Sequence, residues 1–240
     1  MTTGRLRCLG RGLLDIIYPP FCVVCGASGR SWWCASCRSR VETLKTDPCP
    51  RCLSVAEDHD RRSCTGGLPF AGAVSTGFYH SYPLRRCVAE IKYSGVTAAG
   101  RDVEEYLRSF ASSRSVPFPW AGERDVVIQP LPLAASRERD RGFNQAEWIA
   151  ERMRRAWLPD ADVVSALARV SAAAAQATIQ DHALRSANVR GTFASVHPVS
   201  GAVVLVDDVA TTGSTAAEAA RALIRSGASS VYLAALAIGK

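Results

Sequence analysis

The chain has 240 residues, 48% hydrophobic and 21% charged, which excludes a wholly disordered protein and suffices for one large domain or two unequal ones. No apolar run approaches the roughly 20 residues of a bilayer-spanning helix, and Asp15 interrupts the apolar stretch behind Arg5, Arg7 and Arg11 with no small-residue cleavage site after it. Neither membrane insertion nor secretion is therefore expected, and the cytoplasm is the expected compartment. A net charge of +7, from 29 basic and 22 acidic residues, favours anionic partners such as phosphates, nucleic acid or an acidic surface.

The basic excess is densest at the start: residues 1–62 hold ten basic and six acidic side chains, residues 63–240 nineteen and sixteen. Seven of the nine cysteines fall between 22 and 64, spaced Cys22-x2-Cys25-x8-Cys34-x2-Cys37-x11-Cys49-x2-Cys52-x11-Cys64. Two CxxC pairs joined by a short loop bring four sulfurs to the corners of a tetrahedron, and backbone amides in each tight turn soften the charge on the thiolates. Zinc is the natural occupant of Cys22, Cys25, Cys34 and Cys37, with an iron–sulfur cluster as the alternative. An odd cysteine count in a reducing compartment argues against a disulfide framework. The second group has three cysteines, and Gly67 stands where a closing CxxC would place its fourth. His59, in the intervening loop, offers a Cys3His completion, the alternatives being a solvated histidine or pairing swapped between the groups. Trp32 and Trp33, just before Cys34, are read first as cover for the metal or packing on the next domain, and second as platforms for bases.

From Phe70 onward strands alternate with helices, the pattern of an α/β layer with a largely parallel sheet, so a cysteine-rich module over 1–69 and an α/β domain over 70–240 are expected. The pattern predicts an extended segment over 71–79, helices over 83–93 and 101–112, and a loop over 116–122. A strand over 125–129, an amphipathic helix over 143–157 and a continuous apolar strand over 203–206 follow. A helix over 215–226 closed by Gly227 and a last strand over 231–237 complete the series.

After the strand at 203–206 come Asp207 and Asp208, then Thr211, Thr212, Gly213, Ser214 and Thr215. Backbone amides and four hydroxyls at the positive end of a helix suit a phosphate, and Gly213 permits close approach. Adjacent acids behind a buried strand carry an electrostatic cost that a plain turn does not require. Neither GxxxxGK[ST] nor GxGxxG is present, so this is not a nucleotide P-loop or a dinucleotide fingerprint.

These residues resemble the phosphoribosyl pyrophosphate (PRPP) motif of type I phosphoribosyltransferases. The whole of 15–240 is similar to the ComF family, a cysteine-rich zinc module followed by a phosphoribosyltransferase-like domain with helices on both faces of its sheet. The segments that carry the likeness are Ile91-Lys92-Tyr93-Ser94-Gly95, Gln129-Pro130-Leu131-Pro132, Arg141-Gly142-Phe143-Asn144-Gln145 and the spaced set Gln176, Arg185, Asn188, Val189 and Phe193. The incomplete second cysteine group departs from the family's fuller double-knuckle versions. The resemblance implies that Asp207 and Asp208 hold the ribose 2- and 3-hydroxyls of PRPP and that 211–215 hold its 5-phosphate. It also implies that the segment 130–137, with Arg137, Arg139 and Arg141 near it, meets the pyrophosphate, and that 169–190 forms a loop closing over the site. Magnesium is expected to arrive with PRPP, Lys92 to make a charge contact to the ligand, and the reaction to be glycosyl transfer to an acceptor for which no signature is legible. The family further implies single-stranded DNA and competence proteins as partners.

Overall fold

The computed structural model describes residues 21–29, 31–94, 99–170 and 192–239. After a short helix among the cysteines, α1 (Ala35–Arg38), the chain runs β1 (Gly72–Ser75), α2 (Tyr82–Ser94), α3 (Ala99–Ser113), β2 (Val126–Pro130), α4 (Ala135–Arg141) and α5 (Gln145–Trp157). It continues through β3 (Asp162–Val163), β4 (Leu167–Arg169), β5 (Phe193–Ser195), β6 (Ala202–Ala210), α6 (Ser214–Arg225) and β7 (Ser230–Ile238). Five strands form one parallel sheet in the order β1-β7-β6-β2-β3. Strands β4 and β5 pair antiparallel as a separate hairpin.

The two nine-residue strands explain the sheet. β6 reads AVVLVDDVA and β7 reads SVYLAALAI, near-continuous small and branched apolar residues as expected of parallel strands covered on both sides. Because successive side chains point to opposite faces, Val204, Val206, Ala234 and Leu236 join one buried cluster while Val203, Leu205, Leu233 and Ala235 join another. The first cluster takes its cover from α2, α3 and α5 through Leu84, Val88, Leu107, Ile149 and Met153. The second takes it from α6, an alanine-rich helix, together with Leu167 and Phe193 of the hairpin.

The cysteine-rich region straddles the sheet. Trp32, Trp33, Cys37 and Val41 belong to the first cluster, whereas Leu53 belongs to the second, with Leu44, Val55 and Leu68 packed against it. Trp33 is fully buried, its ring 4.8 Å from that of Tyr106, and its amide donates to Asp102 Oδ2 at 2.9 Å. Trp33 therefore packs on α3, and Trp32 is buried in the same cluster, the packing role read first for the pair.

Two local differences from the sequence reading have clear causes. The expected loop at 130–137 turns helical from Ala135 as α4, which is closed by Gly142 in the left-handed conformation (φ 75°), after which Asn144 caps α5 by accepting the Ala146 amide at 3.0 Å. Arg141-Gly142-Phe143-Asn144-Gln145 is thus a helix stop followed directly by a helix start. The strand expected to end at Val206 runs on to Ala210, because β7 continues to pair with it, Asp207 opposite Ala235 and Val209 opposite Ala237. The segment expected to be extended to Tyr79 is regular only over β1. The hairpin β4–β5 was not expected. Most of the segment 169–190, with Gln176 and Arg185, lies outside the described residues. Among the described residues no helix is long and apolar enough to cross a membrane.

Candidate functional site

The first cysteine group assembles as its spacing requires. The sulfurs of Cys22, Cys25, Cys34 and Cys37 all lie within 4.8 Å of one another, and Cys25 Sγ is 3.9 Å from Cys34 Sγ. Tetrahedral bonds of about 2.3 Å to zinc put sulfurs about 3.8 Å apart. Burial opposes ionisation of Cys22, but amides of Cys34, Cys25 and Val24 outweigh it and lower its thiol to about 6. Burial pushes Cys37 up to about 12, and the neighbouring sulfurs reinforce this despite Arg40. One site that both favours a thiolate and cannot hold four of them calls for a cation, which is the chemistry of a structural zinc.

The second group also converges. Cys49, Cys52, His59 and Cys64 place one donor each within 4.8 Å of the others, with Cys52 Sγ 3.4 Å from His59 Nε2. His59 thus stands where Gly67 has no donor to offer.

The acids lie at a different place, where the sheet changes direction. β2 leads outward to β3 on one side, and β6 leads through α6 to β7 on the other, so the carboxyl ends of β2 and β6 flank a switch point, the usual ligand crevice of such sheets. Asp207 Oδ1 accepts the Asp208 amide at 2.8 Å and Asp208 Oδ1 accepts the Val209 amide at 2.7 Å. Lys92, in the last turn of α2, sets its ammonium 3.0 Å from Asp208 Oδ2, a buried atom. Burial, with the adjacent Asp208 charge, pushes the Asp207 carboxyl up to about 7.

The loop after β6 has a buried floor and an open top. Gly213 is buried and left-handed (φ 73°), while Thr211, Thr212, Ser214 and Thr215 are exposed. Thr212 Oγ1 and Ser214 Oγ share a hydrogen bond of 2.9 Å, and the helical ladder of α6 starts with the Ala217 amide on the Gly213 carbonyl at 2.7 Å. No side chain caps α6 from Gly213; the Ser214 amide donates to Thr212 Oγ1 at 3.4 Å, and the amides of the first turn have no acceptor within the helix itself. Above β2, Arg137 is exposed on α4, and Arg141 lies 6.0 Å from the Tyr93 ring.

Two features escaped the sequence reading. Gln129 is a fastener: its Oε1 accepts the Ala166 amide at 2.7 Å, anchoring the base of β4 to the end of β2. Leu53 and Leu68 form the floor under Gly213, since a Cβ on that glycine would stand 2.8 Å and 3.2 Å from their methyl carbons. No spacing rule links a metal knuckle to a loop some 160 residues later, and the one available signal was a leucine after the second CxxC where the first has Gly26.

Fold and site together define a five-stranded parallel sheet, with an acid pair at its switch point, joined to an N-terminal double zinc ribbon. The family model of the double zinc ribbon domain matches residues 13–66. DNA utilization protein YhgH of Salmonella typhi is 31% identical over 211 residues, which cover 84% of this chain and 88% of that protein. Competence protein ComFC of Bacillus subtilis is 26% identical over 203 residues, 81% of this chain and 78% of that one. Among solved structures, a glutamine PRPP amidotransferase from B. subtilis complexed with ADP and GMP is 18% identical with a TM-score of 0.34, over 62% of this chain and 30% of that chain. The chain belongs to the ComF family.

Proposed function

We propose that the crevice binds PRPP and that the protein transfers its phosphoribosyl group to a nitrogenous acceptor, in the service of handling DNA. One observation carries the reading: the acid pair of β6 stands at the switch point and is followed within a few residues by an exposed hydroxyl loop at the start of a 12-residue helix. In this reading Asp207 and Asp208 accept hydrogen bonds from the ribose 2- and 3-hydroxyls, and Lys92 holds Asp208 in place. The amides and hydroxyls of 211–215 take the 5-phosphate at the positive end of α6. The bond between C1 and the pyrophosphate oxygen breaks, both electrons leave with pyrophosphate, and the acceptor nitrogen supplies the pair that forms the new bond to C1. Such a step needs positive charge on the leaving group and exact placement more than a protein nucleophile. Arg137, exposed beside the crevice, is the side chain proposed to meet the pyrophosphate, and magnesium enters with it as part of the substrate complex.

The relatives are named for DNA utilization and for competence, which supports a role in handling DNA; single-stranded DNA and competence proteins as partners, in the cytoplasm, belong to the same proposal. The test has two parts. PRPP with magnesium should raise the melting temperature, and the double change Asp207→Asn with Asp208→Asn should abolish that rise in a folded protein. Release of pyrophosphate from PRPP should then depend on one member of a panel of bases and nucleosides. A melting shift without release from any acceptor would replace the transferase by a PRPP-sensing protein.

A further inference from the structure

Among the described residues Leu53 is the one non-glycine residue with positive φ, at 58°, and the first ribbon shows what that position normally requires. There Gly26, at φ 72°, donates its amide to the Cys22 carbonyl at 2.8 Å, and the Cys22 amide reaches the Ala27 carbonyl at 2.9 Å. In the second ribbon Leu53 donates to the Cys49 carbonyl at 2.7 Å, and the Cys49 amide reaches the Ser54 carbonyl at 2.8 Å. The two turns are the same turn. Its left-handed position suits glycine and strains a leucine, and strain of this kind points to what the side chain does.

The surroundings of the two residues differ in one respect. Nothing lies within 4 Å of where a Cβ on Gly26 would be, whereas Leu53 is fully buried and its Cδ1 would be 2.8 Å from a Cβ on Gly213. Leu68 closes the same contact, and Arg221 of α6 donates to the Gly67 carbonyl at 3.1 Å, tying the ribbon's exit to the helix. Gly213 has no side chain to fix its own place, so the height of the loop is set by what packs beneath it.

We propose that Leu53 is a positioning residue for the 211–215 loop: the second metal knuckle holds it in the left-handed conformation so that its side chain seats Gly213 and the start of α6. The ligands Cys49 and Cys52 bracket the turn, so occupancy of the second metal site sets the loop. The consequence for ligand affinity rests on the reading of that loop as the 5-phosphate site; the mechanical contact does not.

The experiment compares full-length wild type, Leu53→Gly, Leu53→Met and Cys64→Ser by metal content, hydrogen exchange over 211–217 and affinity for PRPP with magnesium. Leu53→Gly suits the turn and removes the floor: metal content should stay at the wild-type value, exchange over 211–217 should accelerate, and PRPP should bind about ten- to a hundredfold more weakly, the scale of a misplacement near 1 Å. Leu53→Met should restore both readouts. Cys64→Ser should lose the second metal and loosen the same peptide. Should Leu53→Gly not fold, Leu68→Ala opens the contact from its other side and should move the same readouts. A lower melting temperature with unchanged exchange over 211–217 would make Leu53 ordinary core and overturn the proposal. Accelerated exchange in a protein whose wild type binds no PRPP would leave the positioning role standing and remove the phosphate reading alone.

Discussion

Replacing Trp33 separates a ribbon that is an independent module from one that is part of the core. Its ring is fully buried in a cluster shared with Val88, Leu107 and Met153 of α2, α3 and α5. Trp33→Ala in such a setting costs about 3–5 kcal/mol. At roughly 2–4 °C per kcal/mol for a protein of this size, the melting temperature should fall by roughly 6–20 °C. The indole Nε1 has no hydrogen-bond partner among the described residues, and a buried unpaired donor costs about 1–3 kcal/mol. Trp33→Phe removes that donor while keeping a ring against Tyr106, so its fall should be less than about half that of Trp33→Ala. Scanning calorimetry of the zinc-loaded protein reads both, and a single transition with matching calorimetric and van't Hoff enthalpies is expected. Two transitions, of which only a small one responds to Trp33→Ala, would refute the shared core.

Elemental analysis should find two zinc ions per chain, falling to one in Cys64→Ser, and a strong chelator should lower the stability of the whole protein because ribbon residues sit in both clusters. Asp207 keeps a proton in the folded state up to about pH 7, whereas the unfolded chain releases it near 3.9, so its contribution to stability falls as pH rises between these values. Asp207→Asn should therefore melt above wild type at pH 8, with the gap closing toward pH 4; a gap independent of pH would refute the assignment. Single-stranded DNA should bind the full-length protein with an affinity that falls steeply with salt. Trp33→Phe should leave that affinity unchanged, and a selective loss of binding in folded Trp33→Phe would return the indole to the DNA surface.

The regular part of the fold was legible because it rests on local pattern. Continuous apolar runs gave β6 and β7, amphipathic spacing gave α2, α3 and α5, and Gly227 after α6 marks the stop with φ 115°. What was missed is fixed by partners distant in sequence. Strand β6 extends past its acids because β7 offers Ala235 and Ala237 as ladder neighbours, a tertiary override of the charge that would otherwise end a strand. The three-residue β4 and β5 are too short to show a period, and each depends on the other. Helix α4 buries none of its residues, so it has no apolar stripe to detect.

The site divides along the same line. The donors that converge in both ribbons were legible from spacing, since metal geometry acts over a few residues and leaves its mark as CxxC; even His59 could be offered by its position between Cys52 and Cys64. The acids and hydroxyls of 207–215 are contiguous and read as one motif. The contact of Lys92 with Asp208 joins the end of α2 to the end of β6; the resemblance suggested this charge for a ligand, and the fold gives it first to a neighbouring carboxylate. With Lys92 against it, Asp208 stands beside a fixed cation, while Asp207 has the neighbouring carboxylate and the low polarity around it to raise its affinity for a proton. A ligand that brings hydroxyl donors therefore meets, at Asp207, a carboxyl that ionises near neutral pH. On that argument the affinity for PRPP should strengthen as pH rises through about 7 in wild type and lose this dependence in Asp207→Asn, a titration that calorimetric binding across pH 6 to 8 would read. A wild-type affinity flat across that range would mean that Asp207 is ionised throughout, and would contradict the burial argued for it.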